Sequence, residues 1–332
     1  MPKENLPEYL IHRCPDWKNL KILNLQNITS GWETEILSFD AQYTLHGDDR
    51  VDHLIARIYP GSPGAYRANF EYTLLRDLHD LGFPVPRVLL VDVDSNVFDR
   101  PFIIMDRIVG KTLMEHMLDG SAERYAESIR LFCRVFVQLH KIDWKKISLV
   151  PESYLTSDFP TLFRNHLNGS RNHAIDNGVP YLTTIVTWLE NHLNEIEPLP
   201  LSLLHRDFHP SNILLDESGN PYVIDWTAAT IGDPRMDIAW SLLLAKLHFN
   251  EDLADVILSG YEEVIGKQLE NMDFFIVDAC LRRLSDITIM LHKGAEELGM
   301  REATTGAIKE GIHLLLTMQD MVYRRTGLKI DE

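Results

Sequence analysis

Residues 203–226, LLHRDFHPSNILLDESGNPYVIDW, crowd three Asp, two His and two Asn between short apolar runs. Polar groups at that density cost free energy unless each finds a partner or a use. Two spacings compete to explain them. His205, Asp207 and His209 alternate, so an extended backbone would place all three on one side, and imidazole with carboxylate suits zinc or iron. Against this, Pro210-Ser211 bends the chain immediately afterwards, and no further His or Cys stands at ligand spacing nearby. The second spacing is His205-x-Asp207-x-x-x-x-Asn212, followed by Asp225 at the end of the run YVIDW. Asp207 would then take the proton of an acceptor hydroxyl or orient it. Asn212 and Asp225 offer hard oxygens suited to Mg²⁺. NILLDESGNPYVIDW reads as a hairpin turning over 217–220, which would deliver these groups together.

This spacing is similar to the H-R-D-x-x-x-x-N and D-F-G pair of protein kinases, with Trp226-Thr227 in place of Phe-Gly. The first half of the chain offers the remaining parts. LIARIY places Arg57 where the kinase A-I-K signature has lysine, and Glu71 stands on the following helix, where a charge partner is expected. Arg57 keeps its charge and can fork to a carboxylate and a phosphate, with a geometry different from lysine's; the competing reading is a strand arginine paired to a surface acid. ITSGWETEI, around Ser30 and Gly31, is the candidate loop over the phosphates, its N–H groups facing the anion. FIIMDRIVG is the candidate connection between lobes, with backbone groups from Met105 to Ile108 facing adenine. After the hairpin, Asp233 reads as a helix N-cap with Pro234 as the first helical residue. Asp237, four residues on from the cap, faces either the loop or solvent.

At 332 residues the chain exceeds the size at which one core usually stops growing, so two lobes with a cleft between them are expected. Strand patterns dominate residues 20–60, and NFEYTLLRDLHDLGFPVP reads as a helix stopped by Gly82 and Pro84. Two further strands follow. Beyond 106–110 the patterns turn helical, which divides the chain into a nucleotide-binding part, 1–106, and a helical part, 107–332, carrying the loop and the acceptor site. Lys and Arg number 32 against 49 Asp and Glu, a net charge of −17 that repels nucleic acid and anionic membranes and favours a cationic ligand. The three cysteines, 14, 133 and 280, are scattered without zinc spacing. With no signal-peptide pattern and no apolar run of about 20 residues, the expected location is the cytoplasm.

The chain resembles the aminoglycoside phosphotransferase and choline kinase-like family over nearly its whole length. LLHRDFHPSNILLDESGNPYVIDWTAATIGDPRMDIAW carries the resemblance most specifically, supported by FEYTLLRDLHDLGFPVPRVLLVD and RPFIIMDRIVGKTL. The resemblance implies an α+β, bilobal protein kinase-like fold, with a small antiparallel N-terminal sheet bearing one helix and a larger, mainly α-helical C-terminal lobe. It further implies Asp207 as catalytic base, Asn212 and Asp225 as Mg²⁺ ligands, Glu71 as the helix partner and Arg57 as the phosphate contact. ATP or GTP would be the donor, and the hydroxyl of a small molecule the acceptor: an aminoglycoside or other amine, a choline-like alcohol, a sugar, a macrolide or homoserine. A monomer or homodimer is expected. Only residues 226–232 separate Asp225 from the Asp233 cap, and A-P-E is absent, which leaves no room for a phosphorylated activation segment. Arg206 is therefore read as structural and His205 as an orienting group, while His209 receives no role. Two alternatives stay open: a nucleotide-binding regulator without turnover, motivated by Arg57, and metal-dependent hydrolysis through His205 and His209. Asp158, Glu262, Glu263, Asp273 and Asp278 are candidate cation-binding groups, each read in preference as a surface carboxylate.

Overall fold

Leu37, Phe39 and Ala41 alternate with Ile36, Ser38 and Asp40, a period of two that sends one set of side chains to each face of a strand. The computed structural model, which describes residues 6–28, 34–61, 63–94, 97–293 and 305–330, builds a sheet on this pattern. Helix α1 (Leu6–Arg13) precedes β1 (Lys18–Ile28), β2 (Glu35–Leu45), β3 (Asp48–Ile58), α2 (Gly64–Asp80), β4 (Val88–Asp92) and β5 (Phe102–Asp106). The strands are antiparallel, in the order β1-β2-β3-β5-β4. Leu37, Phe39, Leu54, Ala56, Ile58, Phe102 and Ile104 form one core with Leu6 and Leu10 of α1. Arg57, between Ala56 and Ile58, is turned to the other face by the strand's period.

The chain continues through β6 (Gly110–Thr112), α3 (Leu113–Leu118), α4 (Ala122–His140), α5 (Glu152–Leu155), α6 (Phe159–Asp176) and α7 (Thr183–His192). Next come β7 (Ser202–Leu204), β8 (Ile213–Asp216), β9 (Pro221–Val223), β10 (Thr230–Gly232), α8 (Pro234–His248), α9 (Glu251–Ile265), α10 (Met272–Lys293) and α11 (Thr305–Thr326). The antiparallel N-terminal sheet with helix α2, followed by a helical C-terminal region, is the fold class the sequence implies. By internal contact the chain divides into two compact units. One runs to Thr112 and takes in Ile147–Leu149 and Ile213–Thr227; the other holds Leu113–Lys146, Val150–Asn212 and the chain from Ala228.

In the first unit the β8–β9 hairpin turns as its sequence requires. Asp216 accepts hydrogen bonds from the Ser218 and Asn220 N–H groups, and Gly219 takes φ +81, a conformation that costs other residues strain. β6 pairs with β8, and this needs Gly110: a Cβ there would lie 1.7 Å from the Leu215 carbonyl oxygen.

The second unit is a helix assembly. Ser121 caps α4 by accepting from Arg124 N–H, and Ile129, Phe132, Cys133, Phe136 and Val137, at helical spacing, are buried. Helices α6, α7, α8, α10 and α11 share a larger core that includes Phe163, Trp240, Phe275 and Met318. Among the described residues no helix is long and apolar enough to cross a membrane.

Candidate active site

Residues 205–212 form a loop held from below by α8. As read from the sequence, Asp233 caps this helix, accepting from Arg235 N–H, and Pro234 is its first residue. Asp237, fully buried, faces the loop and not solvent: it accepts the His205 N–H at 2.7 Å and the Arg206 N–H at 2.6 Å. Burial works against that charge, but a hydrogen bond from His140 and the backbone donors hold its carboxyl below the usual range. Arg206 sits at φ +66, a left-handed conformation that interrupts the extended alternation on which a His205–Asp207–His209 metal site would depend. His205 accordingly turns inward, fully buried, and its Nδ1 accepts the Asp207 N–H at 3.2 Å. Among the described residues no cluster of three His, Cys, Asp or Glu side chains is placed to hold a metal.

Asp207 is held on both carboxylate oxygens. Trp240 Nε1 donates to Oδ1 at 2.9 Å, and Asn212 Nδ2 to Oδ2 at 3.1 Å and to the Asp207 carbonyl at 2.9 Å. Burial opposes its charge; His209, 3.6 Å away, the Trp240 N–H and His205 together outweigh burial and hold the carboxyl far below the usual range. Phe208 anchors the loop from the other side, stacked on Phe136 with ring centroids 4.1 Å apart, while its carbonyl accepts the Ser241 hydroxyl.

The other carboxylates and Arg57 meet in the first unit. Arg57 Nη1 donates to Glu71 at 3.0 Å and Nη2 to Asp225 at 2.8 Å. The Tyr59 hydroxyl bonds the second Glu71 oxygen. Burial works against the Arg57 charge, but Glu71 and Asp225 outweigh it and hold the guanidinium protonated. Asp225 takes φ +68, and its side chain is 40% exposed, so it keeps access to solvent. Met105 lies in β5 opposite Ile55 and Val88; Ile108 follows the end of that strand, partly buried. Ser30 and Gly31 lie outside the described residues. The structure thus brings Arg57, Glu71 and Asp225 together in one unit, and Asp207 with Asn212 in the other.

A cavity of about 360 Å³ opens beside Asp207 within the second unit. Met114, Phe132, Leu244, Leu253 and Ile257 form its apolar wall, and His209, His248 and Arg283 its polar one. Sequence reasoning missed Trp240, Ser241 and Phe208. Trp240 and Ser241 stand three and four positions after Asp237, so helical spacing alone puts them on the loop-facing side. His209, given no role, lies against Asp207. Asp278, read as a surface acid, is buried: it accepts from His166 at 2.7 Å and lies 3.9 Å from Arg206.

The model of the phosphotransferase enzyme family matches residues 34–275. A curated relative, acyl-CoA dehydrogenase family member 10 of Mus musculus, is 27% identical over 220 residues, 63% of this chain and 20% of that protein. Acyl-CoA dehydrogenase family member 11 of Homo sapiens is 27% identical over 71% of this chain and 32% of its own length. The chain spans a fifth to a third of these relatives. A GDP complex of aminoglycoside 2′-phosphotransferase-IIIa superposes with a TM-score of 0.64 at 17% identity, covering 96% of this chain and 98% of that one. An ethanolamine kinase of Plasmodium vivax superposes at 0.61 and 14% identity, covering 93% and 85%.

Proposed function

The chain belongs to the phosphotransferase enzyme family, and from that premise we propose that it transfers the γ-phosphate of ATP or GTP to a hydroxyl of a small molecule. The observation that carries this reading is Asp207, ionised, fixed on both oxygens and open to a cavity of substrate size. The acceptor oxygen attacks the γ-phosphorus, the bond to the bridging β–γ oxygen breaks, and the nucleoside diphosphate leaves with that oxygen. The hydroxyl proton passes to Asp207 and on to water. A carboxyl held this acidic is a weak base, so its contribution is chiefly to orient the hydroxyl, which suits a loose transition state. Arg57 is assigned to the phosphates, the backbone at Met105 and Ile108 to the adenine or guanine, and Ser30 and Gly31 to the phosphate loop.

Asn212 and Asp225 are assigned to Mg²⁺. Each offers a suitable donor within its own unit: the hydrogen bonds of Asn212 engage its amide nitrogen and leave the oxygen as a ligand, and the Asp225 carboxylate keeps access to solvent beside Arg57. Mg²⁺ commonly takes only one or two protein oxygens, the rest coming from water and phosphates. When bound, it would neutralise charge on the transferring phosphate. A second reading, a nucleotide-binding regulator, is favoured by the grip of Arg57 on Asp225. The deciding measurement is ADP release over a panel of aminoglycosides, choline, ethanolamine, sugars, macrolides, homoserine and hydroxy acids. Acceptor-dependent release that falls at least about a hundredfold in Asp207→Asn, with nucleotide affinity retained, supports transfer; nucleotide binding without release over the whole panel supports the regulator.

A further inference from the structure

The residue before Asp207 is held at both of its peptide groups by opposite charges. Arg206 takes φ +66, a conformation that a residue other than glycine adopts at a cost and keeps only where its surroundings hold it. Its N–H goes to the buried Asp237 carboxylate of α8 at 2.6 Å. Its carbonyl accepts from Nη1 of Arg282, on α10. That carbonyl shares a planar peptide with the Asp207 N–H, which donates to His205 Nδ1 at 3.2 Å. The peptide leading into Asp207 is therefore pinned on both edges, and Arg282 supplies one of the two pins.

The same guanidinium reaches the Asp207 side chain through Trp240. Its central carbon lies 3.9 Å from the centre of a Trp240 ring, within the range of a cation–π contact, and Trp240 Nε1 donates to Asp207 Oδ1 at 2.9 Å. A cation on the face of an indole polarises the ring toward itself, which strengthens the N–H as a donor. Arginine suits both tasks at once, because a planar guanidinium can donate along its edge while its face covers a ring. Arg282 itself does not line the cavity beside Asp207, so any part it has in the reaction passes through the loop and the indole.

We propose, resting on the phosphotransferase reading above, that Arg282 is a positioning residue for the transfer: it fixes Asp207 in the pose that orients the acceptor hydroxyl, by the Arg206 carbonyl on the backbone side and by Trp240 on the side-chain side. Loss of the guanidinium leaves the groups that bind the acceptor in place but loosens the carboxylate that aims its hydroxyl. The rate of transfer then falls while affinity is kept, since a displacement of about 1 Å at a reacting group costs up to about a hundredfold.

The test compares three variants of the full chain: Arg282→Met, which keeps an unbranched stem but removes donors and charge, Arg282→Lys and Arg282→Ala. On whichever acceptor of the panel supports ADP release, kcat should fall at least about tenfold in Arg282→Met, with KM for acceptor and nucleotide within about twofold of wild type. Arg282→Lys should recover part of the rate. Guanidinium chloride, added to Arg282→Ala well below denaturing concentrations, should raise kcat severalfold where equal ammonium chloride does not, a rescue that a side chain used only for packing would not show. An unchanged kcat in Arg282→Met, a loss confined to KM, or an Arg282→Ala rate that the two salts raise equally or not at all would each overturn the assignment. A readout independent of turnover is the Trp240 indole N–H, followed by nuclear magnetic resonance in protein carrying isotope-labelled tryptophan and identified among the six tryptophans by its loss in Trp240→Phe. In Arg282→Met this signal should shift and exchange with solvent deuterium about tenfold faster, the other indoles holding still. An unmoved signal overturns the inference; a moved signal in a protein that phosphorylates no acceptor keeps the hold of Arg282 on Asp207, and the transfer reading then falls alone.

Discussion

Asp207 is defined by its neighbours as much as by its position. Trp240 Nε1 donates to it at 2.9 Å, and a hydrogen bond to a charged group contributes about 1.5–3 kcal/mol. Trp240→Phe removes that donor while keeping an aromatic ring under Arg282. The Asp207 carboxylate then loses a charge-assisted partner and part of its orientation, so kcat/KM at neutral pH should fall about tenfold with nucleotide affinity retained. A fall in activity matched by an equal loss of thermal stability would assign Trp240 to packing alone. The contact between Asp207 and Asn212 was legible in the sequence because both stand in one short loop. Trp240 stands 33 residues from Asp207, and only the helical phase shared with Asp237 signalled it. Asp278 was misread for a related reason: nothing in its immediate sequence shows that His166, 112 residues earlier, and Arg206 meet it in the interior.

At the scale of elements, α8 carries the loop, and Asp233 is what starts α8. Its carboxylate accepts from Arg235 N–H and Nε and from the Leu199 N–H at 3.1 Å, and both Asp233 and Arg235 are buried. Loss of a cap costs about 1 kcal/mol, and stranding a buried charge costs about 3–5 kcal/mol. Asp233→Ala should therefore lower stability by about 4 kcal/mol, read as a fall in the urea midpoint. Asp233→Asn, which keeps a capping oxygen but not the charge, should fall between it and wild type; equal stability of all three would show that the Arg235 pair is not engaged in solution. Helix α2 and the hairpin were readable because Gly82, Pro84 and the turn over 217–220 mark their limits. The three-residue strands β6, β7 and β10 were not: each owes its pairing to a partner from elsewhere in the chain, β6 to a strand about a hundred residues on, and none is long enough to show a period.

For the whole molecule, the net charge of −17 is summed over mostly exposed carboxylates. The same balance governs stability. Lowering pH from 7 toward the sequence pI near 5.2 reduces self-repulsion. Over that range Asp237 and Asp278 stay ionised, because His140 and the loop N–H groups for the first, and His166, Arg206 and Arg282 for the second, outweigh burial and depress their pKa values. A carboxylate whose folded pKa lies below its unfolded value of about 3.9 takes up protons first in the unfolded chain, so its contribution is complete above that pH and disappears as pH falls through the folded value. Thermal stability should thus hold or rise from pH 7 to about 5 and fall steeply below about 4. Asp237→Asn should be less stable than wild type at pH 7 and show a shallower fall below pH 4, since the variant no longer has that proton to take up. Differential scanning calorimetry from pH 3 to 8 separates the outcomes: parallel wild-type and variant curves would remove Asp237 as a source of acid sensitivity, leaving surface charge to account for it.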